Sequence, residues 1–252
     1  MSYSCLFDLD GTVYRGQSPI EGAVNFINRL KKNDIKYKFI TNRSDRSSEE
    51  VSAHLNRMGI ISTPGSVITS AMGVAAHTKG RRGYVLGSDN LRDGIRGSEA
   101  IITGDQPEDV VIGFDGKINF DDIRDVCQKI FLGARFLATN PDVWIQSELG
   151  IVPENGSILA VITSITKIQP IIIGKPNSPM IEIAFSDPDI KRDSAIIIGD
   201  NLDTDIAAAN SIGLRSILLL TGVTNSKTAE ASVIKASWIA KDYKALEAIL
   251  FS

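Results

Sequence analysis

Apolar residues along this chain follow two alternating rhythms. Short unbroken runs such as Cys5-Leu6-Phe7, Phe39-Ile40 and Ala195-Ile196-Ile197-Ile198 are separated by stretches in which apolar residues recur every three or four positions. Consecutive apolar positions suit strands buried on both faces of a parallel sheet, and the longer spacing marks one face of a helix. Ala23, Phe26, Ile27 and Leu30 stand at i, i+3, i+4 and i+7 after Pro19 and Glu21, and Asn33-Asp34 ends that helix. Tyr37 to Ile40 is the next strand. Ser47-x-x-Glu50 is a capping-box pattern opening a helix with Val51, Leu55 and Met58, stopped by Gly59. Val67 to Ser70 reads as a third strand and Ala71 to His77 as its helix. Strands and helices alternating through short links imply right-handed parallel crossovers.

The middle of the chain changes character. Gly83 to Gly87, Asp109 to Gly113 and Arg135 to Asn140 read as strands, and Ile123, Val126, Cys127, Ile130 and Phe131 form a helical stripe. Gly150 to Gly156 reads as loop and Ser157 to Thr166 as helix. Residues 81–169 are therefore expected to be an inserted smaller α/β domain, a plausible size for one. The earlier pattern resumes at Pro170 to Gly174, followed by Lys175-Pro176 and a helix from Ser178-Pro179. Ala195 to Gly199 and Ser216 to Leu220 are further strands, and Trp238-Ile239 and a helix with Leu246, Ile249 and Leu250 close the domain. The expected fold class is α/β: a Rossmann-like parallel-sheet core made of 1–80 and 170–252, interrupted by the insertion.

Composition narrows the function classes. The 252 residues leave room for one large domain or two smaller ones. A net charge of −3 gives no electrostatic case for nucleic acid or an anionic membrane as partner. No apolar run reaches the roughly 20 residues that span a bilayer, and no signal peptide precedes the first strand. Cys5 and Cys127 both lie in apolar stretches and read as reduced core thiols. The expected location is cytoplasmic.

Chemistry enters where the strands run out. The first strand stops at Asp8-Leu9-Asp10-Gly11, beyond the carboxyl end of a buried strand, where ligands bind in open α/β sheets. Taken alone, these residues fit an Asp-Gly turn equally well, or the Asp-x-Asp that holds a metal and a nucleotide sugar in some glycosyltransferases. Three other strand ends carry matching groups: Thr41 with Asn42, Lys175, and Asp200 with Asp205. Their convergence in one sheet describes a site. Two like charges about 4 Å apart repel by roughly 4 kcal/mol at an effective dielectric of ~20, so the carboxylates need a cation. An all-oxygen set without thiols or paired histidines suits Mg²⁺. Thr41, Asn42 and Lys175 complement a multi-oxygen anion, and with the metal they describe a phosphoryl site. Asp8, a carboxylate at neutral pH, is placed to attack phosphorus. Asp10 is placed to protonate the leaving group and then to activate water.

In these motifs the chain resembles the haloacid dehalogenase (HAD) phosphatases, in the branch of NagD-like and para-nitrophenyl phosphatases. The motifs occur in order as Asp8-Leu9-Asp10-Gly11-Thr12-Val13-Tyr14, Thr41-Asn42, Gly174-Lys175-Pro176 and Gly199-Asp200-Asn201-Leu202-Asp203-Thr204-Asp205. Branch features add Thr69-Ser70-Ala71 and Ala138-Thr139-Asn140-Pro141-Asp142, so the resemblance spans nearly the whole chain. It implies Asp8 as nucleophile and Asp10 as general acid/base. Thr41 and the Asn42 amide would bind phosphate, and Lys175 would pair with phosphate and nucleophile. Asp8, the Asp10 carbonyl and Asp200 would hold Mg²⁺, supported by Asp205. The insertion resembles the branch's α/β cap, which closes over the site. The branch also suggests a homodimer through the cap. The substrate implied is a small phosphorylated metabolite: a nucleoside monophosphate, phosphoglycolate, glycerol phosphate or sugar phosphate. Arg43 departs from the branch pattern, and reads as a solvated loop residue or an extra contact for an anionic substrate. Asn140, Asp142, Glu154 and Asn155 lie in cap loops and are candidate substrate contacts. A phosphotransferase or mutase, or a non-catalytic phospho-ligand binder, stands as the alternative. His54 and His77 lack a metal-spaced partner and read as structural or exposed.

Overall fold

Six strands of the computed structural model, which describes residues 3–147 and 150–251, form one sheet in the order Trp238–Ala240, Arg215–Leu219, Ala195–Gly199, Ser4–Phe7, Tyr37–Thr41, Val67–Thr69. Ser4–Phe7 pairs in parallel with both Ala195–Gly199 and Tyr37–Thr41. All four of its residues are buried. Phe7 packs with Phe26, Phe39, Leu55 and Leu246 on one face, while Leu6 packs with Ile40, Met180, Ile181 and Ala208 on the other. That two-sided burial is why the apolar residues run consecutively here. The chain leaves Ser4–Phe7 toward Tyr37–Thr41 on one side and returns at Ala195–Gly199 on the other. The carboxyl end of Ser4–Phe7 is thus a topological switch point, where such sheets open a crevice.

A second sheet of five strands runs in the order Ile171–Ile172, Arg135–Ala138, Asp109–Ile112, Arg82–Leu86, Ile101–Ile102, every pair parallel. Helices Phe120–Phe131 and Asn155–Thr166 cover one face of it, and Ser70–Thr78 and Asp89–Arg96 the other. The fold class is α/β, a parallel core sheet plus a separate smaller sheet.

The chain divides into two units, Met1–Thr41 with Ser48–Ile68 and Lys175–Ser252, and Asn42–Ser47 with Thr69–Gly174. These bounds differ from the expected 81–169 insertion. Ala71 and Val74 pack against Val85, Leu91, Ile95 and Leu137, which ties helix Ser70–Thr78 to the second sheet. Ile171-Ile172, expected in the core, instead pairs with Leu137-Ala138. The short segment 42–47 joins the second unit because its carbonyls are claimed there: Asn42 O accepts from Ser70 Oγ and Asn140 Nδ2, Ser44 O from Ser88 Oγ, and Asp45 O from Asn90 Nδ2.

Smaller departures are local. Gly150–Pro153 is a strand paired with Trp144–Ser147, not loop, and the following helix begins at Asn155. Phe131 is exposed rather than part of the buried stripe. Helix Asp89–Arg96, capped by Ser88, leaves a weak sequence pattern because only Leu91 and Ile95 mark its buried face. Among the described residues no helix is long and apolar enough to cross a membrane.

Candidate active site

Asp8 follows the central strand directly, and its N–H donates to Ile198 O at 2.9 Å, continuing the ladder by one residue. Asp200 follows the neighbouring strand. Asp205 is delivered by a π-type turn, Leu202–Ile206, opened by Asn201, whose N–H donates to Asp205 Oδ2 at 3.1 Å. Such turns inside helices occur often at functional sites. Oxygens of Asp8, Asp200 and Asp205 lie within 4.8 Å of one another.

Lys175 is 3 % exposed, and its Nζ donates to Asp8 Oδ1 at 2.5 Å, Asp205 Oδ1 at 2.6 Å and Ile40 O at 3.2 Å. The Lys175 ammonium thus pairs with two carboxylates of a cluster of three. Burial, and then the charges of Asp205 and Asp200, push the Asp8 carboxyl well above the usual range against the pull of Lys175. Burial and the charge of Asp205 likewise push Asp200 up to about 6, opposed by the Val223 N–H and the Thr12 hydroxyl. Burial disfavours the Lys175 ammonium, but the carboxylates outweigh it and hold the proton more tightly than usual. The unbalanced charge and the all-oxygen donor set fit a hard divalent cation such as Mg²⁺.

A surrounding shell fixes Asp200. Thr12 Oγ1 donates to Asp200 Oδ1 at 3.0 Å, and Val223 N–H donates to Oδ2 at 2.6 Å. Thr221 Oγ1 holds the Gly11 carbonyl at 2.7 Å, and Tyr243 O–H holds that of Thr12 at 2.9 Å. Gly11 has φ +86°, and a Cβ there would stand 2.5 Å from Asp200 Oδ2. Sequence reasoning missed these supports. Thr12 carried a signal in its place beside Gly11, but Val223 contributes a backbone N–H, which no side-chain pattern reveals.

Of the other expected residues, Thr41 is buried at the end of its strand, and Asp10 is exposed with Oδ2 3.4 Å from the Tyr14 hydroxyl. The rest belong to the second unit. There Asn42 Nδ2 donates to Asp142 Oδ2 at 3.0 Å, and Asn155 Nδ2 to Asn140 O at 2.8 Å. Arg43 is half-buried, with Nε and Nη2 each 3.1 Å from the Asp45 carboxylate, so it is not simply a solvated loop residue. Glu154 accepts from Asn155 N–H at 3.0 Å, and burial pushes its carboxyl up to about 7.

Residues 5–100 match the haloacid dehalogenase-like hydrolase family, and residues 172–246 a second family described as HAD-hydrolase-like. The acid sugar phosphatase of Staphylococcus saprophyticus is 34% identical over 242 residues, covering 94% of this chain and 93% of its own. The 5'-nucleotidase YutF of Bacillus subtilis is 37% identical over 223 residues, 87% of either chain. Among solved structures, the glycerol phosphate phosphatase of Mycobacterium tuberculosis in complex with magnesium superposes with a TM-score of 0.91 at 32% identity, covering 97% of this chain and 76% of that one. NagD from E. coli K-12 superposes with a TM-score of 0.89 at 27% identity, covering 96% and 98%.

Proposed function

Because the chain belongs to the haloacid dehalogenase-like hydrolases, as a NagD-like phosphatase, we propose that it hydrolyses small phosphate monoesters through an aspartyl-phosphate on Asp8, with Mg²⁺ as cofactor. The observation that supports this reading is Lys175 bound at once to Asp8 and Asp205, beside Asp200, at the switch point of the core sheet.

The residues divide the work as follows. Lys175 fixes the Asp8 carboxylate and offsets charge at its oxygen. An Asp8 oxygen forms a bond to phosphorus as the bond from phosphorus to the leaving oxygen breaks, and Asp10 gives that oxygen its proton. Water then attacks the aspartyl-phosphate and loses a proton to Asp10, releasing phosphate and restoring Asp8. The Thr41 hydroxyl and the Asn42 backbone amide hold phosphate oxygens. Asp8, the Asp10 carbonyl and Asp200 are the residues to hold Mg²⁺, which would neutralise charge on the transferring group, while Asp205 supports Lys175.

Substrate choice is assigned to the second unit, with Arg43, Asn140, Asp142, Glu154 and Asn155 as the residues to vary. Sugar phosphates, nucleoside monophosphates and glycerol phosphate are the first candidates, since the relatives are named for these. The test is hydrolysis of para-nitrophenyl phosphate with Mg²⁺ and with chelator, followed by a screen of phosphorylated metabolites. Asp8→Asn is expected to abolish turnover, and persistent activity in that variant would falsify the nucleophile assignment. Activity untouched by chelator removes the metal.

A further inference from the structure

The hairpin after Asp10, formed by Tyr14–Arg15 and Ser18–Pro19, bears on the reaction through one side chain. Tyr14 O–H donates to Asp10 Oδ2 at 3.4 Å, and a backbone bridge joins the same two residues. Gly11 N–H reaches Tyr14 O at 2.8 Å, so the turn is closed on its main chain as well. The Tyr14 side chain is buried and stands edge-on to His54, with ring centroids 5.1 Å apart and planes at 85°.

His54, on helix Ser48–Arg57, is only 2 % exposed. Its Nε2 lies 3.0 Å from Gly16 O at the hairpin tip, and Arg57 Nη2 stands 3.4 Å from its Nδ1. A guanidinium only donates, so Nδ1 accepts and Nε2 carries the hydrogen that goes to the Gly16 carbonyl. The helix therefore grips both the hairpin backbone and the ring of Tyr14. A histidine buried this deeply costs stability unless its nitrogens are bonded, and here both are engaged.

We propose that Tyr14 is a positioning residue for Asp10, with His54 holding Tyr14 in place. An exposed aspartate on a turn samples several rotamers. The phenol on Oδ2 restricts that freedom. The proposal rests on Asp10 being the general acid, and the experiment separates the two claims.

The measurement is kcat/KM for phenyl phosphate against para-nitrophenyl phosphate, because phenoxide is much the poorer leaving group and needs the proton more. Tyr14→Phe keeps the ring on His54 and removes only the hydroxyl. It is expected to lower kcat/KM for phenyl phosphate about tenfold and for para-nitrophenyl phosphate by about twofold or less, with an unchanged thermal midpoint. His54→Phe is expected to move the ratio in the same direction. In an Asp10→Asn background, Tyr14→Phe should add nothing, since the two side chains act as one unit. Equal losses on both substrates, no loss on either, or additivity with Asp10→Asn overturns the positioning role. If Asp10→Asn itself treats the two substrates alike, the general-acid assignment falls and the proposal with it.

Discussion

Gly222 passes so close to Asp200 that a Cβ there would stand 1.8 Å from Oδ2, the oxygen that accepts from the neighbouring Val223 N–H. Only a residue without a side chain lets this loop hold the carboxylate. Gly222→Ala is expected to turn Asp200 aside and weaken Mg²⁺ binding by about tenfold or more. Calorimetric titration of the purified protein reads this without an activity assay, and circular dichroism checks that the sheets persist. Wild-type affinity in that variant would take Asp200 out of the ligand set.

Lys175→Met removes the ammonium bound to Asp8 and Asp205 and leaves buried carboxylates facing one another. Breaking a buried pair costs about 3–5 kcal/mol, so the metal-free variant should unfold well below the wild type. Mg²⁺ supplies the missing charge. Its stabilising effect on the melting temperature is therefore expected to be larger in Lys175→Met than in the wild type, while turnover falls by about 10²-fold or more. An equal Mg²⁺ effect in the two proteins would mean that Lys175 and the metal do not share these oxygens.

What could be read beforehand follows from range. Asp8, Asp200 and Lys175 announced themselves because charge interrupts apolar runs abruptly, and Ala195–Gly199 falls where its run predicts. The helix from Ala23 was equally plain, since its buried residues keep one face. Ile171-Ile172 lies outside the core sheet for a different reason. Its apolar run fits either sheet, and the choice of partner is made by register with Leu137-Ala138, more than thirty residues away. The place of segment 42–47 is hidden likewise, because backbone carbonyls that bind Ser70, Ser88 and Asn90 leave no mark in a side-chain pattern. His54, whose spacing predicts a structural or exposed residue, is buried because Gly16 and Arg57 satisfy its ring.

Glu154 provides a pH dependence with a definite sign. Burial raises its folded pKa to about 7 from the ordinary 4.5. Between those values the unfolded chain has released a proton that the folded chain keeps, so stability falls as pH rises through that window. Glu154→Gln keeps an oxygen for the Asn155 N–H and removes the charge. The variant should match the wild type near pH 4 and exceed it by about 1–2 kcal/mol at pH 8, once partial exposure is discounted. Urea unfolding at pH 5, 6.5 and 8 measures the difference. Parallel curves for the two proteins would show that Glu154 titrates normally.

Asp109 presents the opposite case. It is fully buried at the start of strand Asp109–Ile112, where Oδ1 accepts from Arg135 Nε at 2.6 Å and Oδ2 from Arg135 Nη2 and Arg81 Nε, both at 2.9 Å. Burial alone would raise its pKa, but the bonds from Arg135 and Arg81 outweigh it and hold the carboxyl below its usual value. Its contribution is therefore complete at neutral pH and lost only as pH falls through that lowered value. Arg81 and Arg135 thus form the two halves of a clamp on this carboxylate. Asp109→Ala should cost about 2 kcal/mol, below the usual 3–5 for a buried pair, because both arginines are about a third exposed and can turn to water. Glu182→Ala, which breaks an exposed pair with Arg192, supplies the contrast and should cost under about 0.5 kcal/mol. If urea unfolding puts the two variants level, the Asp109 clamp contributes no more than a surface pair and burial of its carboxylate has no energetic consequence.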